Sequence, residues 1–109
     1  MLTSKQRAKL KSVGAELKAL HQMGKNDIDE NYIIQLNAVL DAREIIKISV
    51  LDTAPYTPKE AAEILAERTD SEVVQVIGSK IILYRQSRKP EKRELSKLVE
   101  SVRQKVKNG

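Results

Sequence analysis

Apolar residues near the start of the chain recur every three or four positions: Leu10, Val13, Leu17 and Leu20. That spacing predicts a helix with one buried side. Lys5, Lys9 and Lys11 fall mostly off the stripe. Ahead of it, Thr3-Ser4-Lys5-Gln6 has the capping-box pattern, a hydroxyl at the cap and an amide three residues on. Gly14 weakens this helix without ending it. From Ala19 to Met23 the pattern fits a helix end or a short strand equally. Gly24-Lys25-Asn26-Asp27 is a turn by composition. Asp29 then caps a second helix, with Ile28 and Ile33 at the two positions of a hydrophobic staple. Ile33, Leu36, Val39 and Leu40 supply its buried face, and Arg43 lies in its last turn, where a cation suits the helix dipole.

The period changes at Glu44. Through Leu51 the chain is β-branched and alternates, Ile46, Ile48 and Val50 on one face and Lys47 and Ser49 on the other, which predicts a strand. Asp52 to Tyr56 is a loop. Thr57-Pro58-Lys59-Glu60 starts a third helix, with threonine capping, proline in the first position and Glu60 closing the box; Ala61, Ile64 and Leu65 form its core face. Glu72 to Ile77 and Lys80 to Arg85 are strands joined by a two-residue hairpin turn, Gly78-Ser79. Pro90 opens a last helix with an apolar stripe of Leu95, Leu98, Val99, Val102 and Val106. The stripe needs a partner, either the body of the domain or another chain. Helices alternating with strands and a closing hairpin argue an α/β layer with right-handed crossovers.

Charge sharpens this picture. The chain has 109 residues, the size of one domain, and a net charge of +5. Residues 1–25 carry six basic groups against Glu16, and residues 85–109 carry nine against three acids. The middle carries five basic and eleven acidic groups. A field divided in this way favours a polyanion over unselective adhesion. No apolar run is long enough to span a bilayer and no secretory apolar region follows Met1, so the expected location is the cytoplasm, away from membranes.

Catalytic chemistry finds little support. Cysteine is absent, which removes thiolate metal sites, disulfides and a cysteine nucleophile. His21 is the only histidine and has no second ligand for a metal. The pairs Asp27/Asp29 and Glu60/Glu63 read as turn, cap and first-turn residues. No serine sits in a nucleophile elbow, and no glycine-rich phosphate loop or dinucleotide fingerprint occurs. The expectation is a protein that is not an enzyme and needs no cofactor and no metal.

Nucleic-acid binding can be narrowed by its requirements. The only aromatic residues are Tyr32, Tyr56 and Tyr84, too few and wrongly spaced for a base-stacking sheet or a single-strand platform. Backbone-directed recognition remains, in which a loop and a helix start offer N–H groups beside lysines. Gly24 allows close approach of a phosphate, Lys25 supplies charge, and the helix that follows brings its dipole.

Taken in order, Thr3-Ser4-Lys5-Gln6-Arg7, Gln22-Met23-Gly24-Lys25-Asn26, Glu44-Ile45-Ile46-Lys47-Ile48, Val74-Gln75-Val76-Ile77-Gly78 and Ile82-Leu83-Tyr84-Arg85 resemble the RNA-binding CRM domain, most closely its bacterial stand-alone YhbY-like members. The resemblance runs from about Leu2 to Arg85. It implies a single α/β domain, order α-β-α-β-α-β-β, with a four-stranded mixed sheet, similar to the C-terminal domain of translation initiation factor three. It makes Ala19 to Met23 a short first strand. It implies binding to RNA, association with precursors of the large ribosomal subunit, and contact through a GxxG-type loop. Gly24, Lys25 and Asn26 match that loop. Asp27 stands where the family has its second glycine; aspartate reaches the left-handed conformation, but its charge lies where phosphate would approach. That shifts the expected contact toward Lys5, Arg7, Lys9 and Lys11 on the first helix and toward Arg85 and Arg88 after the last strand.

These readings divide the chain into residues 1–88, a CRM-like RNA-binding domain, and residues 89–109, a basic amphipathic helix outside the resemblance. The expected partner is RNA of the large ribosomal subunit or its precursor, bound by a monomer, with ribosomal proteins as further partners. The alternative is an adaptor that docks on a ribosomal protein or a second copy through Leu95, Leu98, Val102 and Val106.

Overall fold

The computed structural model describes residues 2–25 and 28–108, with side chains as far as residue 102. Four helices and four strands follow in the order α1 (Ser4–Ala15), β1 (His21–Met23), α2 (Glu30–Arg43), β2 (Ile45–Val50), α3 (Pro58–Thr69), β3 (Glu72–Ile77), β4 (Lys80–Tyr84) and α4 (Glu94–Asn108). The helix starts are local chemistry. Thr3 and Gln6 exchange side-chain and backbone hydrogen bonds, as do Thr57 and Glu60, and the Asp29 carboxylate accepts the Tyr32 N–H at 2.8 Å. Each takes up N–H groups that a helix start leaves unpaired.

The sheet has the order β1-β2-β4-β3, with β1 parallel to β2 and the other pairs antiparallel. Alternation sorts its side chains onto two layers. Ile46, Ile48, Val50, Ile81, Leu83 and Met23 face α2 and α3, where Leu36, Leu40, Ala61 and Leu65 complete the larger core. Ile45, Val74, Ile82 and Tyr84 face the opposite way, against Leu10 of α1 and Val99 of α4. The two central strands are thus apolar on both faces, and only the polar residues Lys47, Ser49 and Lys80 interrupt them.

Several expectations change. The first helix ends at Ala15, so Leu20 is not on its stripe and stands 72% exposed beside β1. Gly14 has a packing reason: a Cβ there would lie 2.6 Å from Ile82 Cδ1, so glycine lets α1 rest directly on the sheet. β4 ends at Tyr84, one residue before Arg85. Pro90 opens a short 3-10 turn to Lys92, and α4 begins only at Glu94. The last helix finds its partner within the chain. Leu95 and Val99 join Leu10 in the smaller core, and Gln6 Nε2 donates to the Val99 carbonyl at 3.1 Å. Leu98 stays 44% exposed, while the side chain of Val106 lies outside the described residues. Among the described residues no helix is long and apolar enough to cross a membrane.

Candidate nucleic-acid interface

The topology turns charge along the chain into charge across the molecule. The terminal helices share one face of the sheet, while the helices of the acidic middle cover the other. α1 carries Lys5, Arg7, Lys9 and Lys11 and no acidic residue. Lys5 lies in the first turn, where a cation opposes the helix dipole, whereas Lys9 and Lys11 lie beyond that reach. Lys5 and Lys11 are exposed, Lys9 is half-exposed, and none of the three is paired with an acid among the described residues. Arg7 differs. Its guanidinium donates to the carbonyls of Val73 and Val74, where β3 bulges against β4. It fastens α1 to an edge strand and is not free for a ligand.

The Gly24–Lys25 loop leaves the carboxyl end of β1. Lys25 is exposed. A Cβ on Gly24 would meet nothing nearer than Leu51 Cδ1 at 3.7 Å, so no packing demand explains glycine there. Asn26, expected to contact RNA, and Asp27, the departure from the family loop, lie outside the described residues. The expected contribution of the α2 start needs correcting. Its Tyr32 N–H is already taken by Asp29, and the carboxylates of Asp29 and Glu30 occupy its positive end. The groups this loop offers an anion are therefore the Lys25 charge and an open backbone at Gly24, not the helix dipole.

Two lysines of the sheet escaped sequence reasoning. Lys47 Nζ donates to the carbonyls of Gly14 and Leu17, both at 3.3 Å, and so closes the end of α1. Lys80 Nζ donates to Ser49 Oγ at 3.0 Å. The cross-strand register places Ser49, Lys80 and Ile77 on the α1 side of the sheet, in the part nearest the hairpin. Ile77 is 56% exposed, which shows that the terminal helices leave this part open. The alternation Lys47, Ser49 was visible in the sequence, but not which part of that face stays uncovered.

The arginines after β4 serve a different purpose. The Arg85 side chain is only 9% exposed, donating through Nη1 to Asp41 Oδ1 at 2.9 Å and through Nη2 to Asn37 Oδ1 at 3.0 Å. Arg88 grips both Asp41 oxygens through Nε and Nη2. Its guanidinium, followed by that of Arg85, holds the Asp41 carboxyl well below the usual carboxylate range. Glu44 lies beside this cluster with a left-handed backbone, φ 68°. It is fully buried, and its carboxylate accepts the N–H groups of Ser87 at 2.7 Å and Ser96 at 2.9 Å. The second of these belongs to the first turn of α4, so Glu44 caps that helix from a distance. Of the nine residues expected to contact RNA, then, Lys5, Lys9, Lys11, Gly24 and Lys25 are available, Arg7 and Arg85 are committed to the fold, Arg88 is partly so, and Asn26 lies outside the described residues.

The geometry has counterparts in known proteins. The family model for the CRS1 / YhbY (CRM) domain matches residues 2–85. The chain is 39% identical over 95 residues to the Probable RNA-binding protein YqeI of Bacillus subtilis, covering 87% of this chain and 99% of that one. It is 29% identical over 91 residues to the Probable RNA-binding protein PA4753 of Pseudomonas aeruginosa, covering 84% and 88%. The solution structure of the hypothetical protein SAV1595 from Staphylococcus aureus superposes with a TM-score of 0.69 at 45% identity, covering 86% of this chain and 98% of that one. With the matched stretch running from the capped basic helix to the end of β4, the chain belongs to the CRS1/YhbY (CRM) domain family.

Proposed function

We propose that this protein binds RNA through the α1 layer and the Gly24–Lys25 loop, and that its target is ribosomal RNA of the large subunit or its precursor. In this reading it assists subunit assembly as a cytoplasmic monomer and catalyses no reaction. The observation that carries the RNA reading is the set of exposed cations on α1. They have no acidic partner among the described residues and hold no part of the fold together, so a polyanionic ligand accounts for them better than folding does. Polyphosphate backbone suits cations spread along a helix and a loop better than a compact anion does. The names of the two bacterial relatives agree with RNA as the ligand. The choice of large-subunit RNA rests on the family resemblance. The adaptor alternative loses support because Leu95 and Val99 are already packed within the chain.

The test is sedimentation of cell lysate through sucrose gradients at low and moderate salt. The protein should travel with free large subunits or their precursors and leave them as salt rises. If it stays at the top of the gradient at low salt while binding purified RNA, the ribosomal target is wrong. If it binds no RNA at all, the reading of α1 fails with it.

A further inference from the structure

A cavity of about 270 Å³ opens beside the Gly24–Lys25 loop, between the outer edge of β1 and the first two turns of α2. β1 pairs with β2 on one side only. Because the Met23 carbonyl takes the Leu51 N–H, alternation turns the backbone of Gln22 to the open edge. Its carbonyl accepts the Tyr32 hydroxyl at 3.2 Å, which ties the helix to the strand and fixes the ring as one wall. Burial raises the Tyr32 hydroxyl above its ordinary pKa, so it remains a donor at neutral pH. Met23 and Ile28 give the cavity an apolar portion. Asn31 and Gln35 lie four residues apart on α2, and both line it.

We propose that this cavity takes one unstacked nucleobase of the bound RNA, a reading that rests on the RNA-binding function above. The occupant follows from the lining. Asp29 also borders the cavity, so an anion such as phosphate is the wrong ligand. The cavity is smaller than a typical site for a drug-sized molecule. An aromatic wall and apolar side chains suit the face of a heterocycle, and carboxamides suit its edge, since each offers a donor and an acceptor. Lys25 on the adjacent loop is placed to hold the phosphate of the same nucleotide. Base and backbone thus have separate contacts, and the two should be separable by mutation.

The experiment measures binding of labelled uridine, adenosine and cytidine homopolymers, each about ten nucleotides long, at several salt concentrations. The variants are Asn31→Ala/Gln35→Ala, both exposed positions, and Lys25→Ala. The wild type should rank the three RNAs, with about tenfold between best and worst. The carboxamide double variant should compress that ranking to about twofold while keeping the salt slope. Lys25→Ala should keep the ranking and lower the slope. A double variant with the wild-type ranking, or a wild type with no ranking, overturns the base site. Binding of ribosomal RNA with no binding to any homopolymer overturns it too, whereas failure to bind every RNA overturns the functional reading beneath it.

Discussion

The two ends of the sheet use charge in opposite ways. At the end where β2 begins and β4 finishes, Asp41, Glu44, Arg85 and Arg88 form a network in which both carboxylates accept several hydrogen bonds. At the other end, Lys25 stands exposed beside a cavity edged with carboxamides. Both ends carry cations, yet at the first they are paired with Asp41, while Lys25 is paired with no acid among the described residues. The contrast teaches that a basic residue informs about function only after its partner is known. Buried, paired charge mainly fixes geometry, and removing one member is costly. Exposed charge adds little stability and can act on a polyanion.

The largest expected effect breaks the closed end. Glu44→Ala leaves the buried N–H groups of Ser87 and Ser96 without their acceptor. Each lost charge-assisted bond is worth about 1.5–3 kcal/mol. The variant should lose about 4 kcal/mol, seen in urea unfolding as a lower midpoint. Because the carboxylate caps α4, hydrogen exchange should rise in α4 before it rises in β2 or β4. Uniform loosening across the sheet would show that Glu44 does not act through that helix.

Asp41→Asn comes next, at about 3 kcal/mol, because it leaves the largely buried Arg85 side chain beside a neutral one. Its pH dependence has a defined sign. Arg88 and Arg85 depress the folded-state pKa of Asp41, so the unfolded chain takes up this proton first as pH falls. The stabilisation is complete at neutral pH, begins to fall as pH drops below about 5 toward the ordinary aspartate pKa near 4, and is gone only once pH passes below the depressed folded-state pKa. The gap in stability between wild type and variant should therefore narrow on acidification. A gap that stays constant from pH 7 to pH 3 would mean that the carboxylate charge is not what the arginines recognise.

These two sites also mark the boundary of what the chain discloses by inspection. The helix starts at Thr3, Asp29 and Thr57 were legible because cap and partner lie within three residues of each other. The hairpin at Gly78-Ser79 was legible for the same reason. Glu44 was not, because its partners are 43 and 52 residues away. Arg85 looked like an RNA contact because its charge is local information and Asp41, 44 residues earlier, is not. The basic first helix was legible as charge, but its place on the same layer as α4 required the sheet order. The cavity beside β1 was invisible in the sequence, since an edge exists only once the strands are paired.

The exposed cations of α1 should respond in the reverse manner. Replacing Lys5, Lys9 and Lys11 together by alanine removes cations from α1 without breaking any described ion pair. Stability should change by less than about 1 kcal/mol, and loss of Lys5 should favour the helix slightly. The slope of log affinity against log salt for single-stranded RNA should shrink by about 2, at roughly 0.7 per lost phosphate contact. An unchanged slope would place the RNA elsewhere, whatever the affinity does.

The smallest effects give the sharpest comparison, since two glycines sit at the two kinds of site. Gly14→Ala gains helix propensity but sets a Cβ 2.6 Å from Ile82 Cδ1 in the smaller core. Ile82 is buried and its Cγ2 also lies 3.1 Å from that position, so the side chain must shift, and a net loss of about 1 kcal/mol is expected, with RNA affinity unchanged. Gly24→Ala adds a methyl that meets Leu51 Cδ1 at 3.7 Å and Thr53 Oγ1 at 3.9 Å, ordinary contacts, so stability should stay within about 0.5 kcal/mol. If RNA backbone passes close to this loop, the same methyl stands in its way, and affinity should fall by about 1 kcal/mol, roughly fivefold, with the salt slope kept. The pair thus exchanges its signatures, stability for one glycine and binding for the other. Should Gly24→Ala bind RNA as the wild type does, Lys25 must reach its phosphate across a gap, and close approach of the two backbones at this loop is wrong.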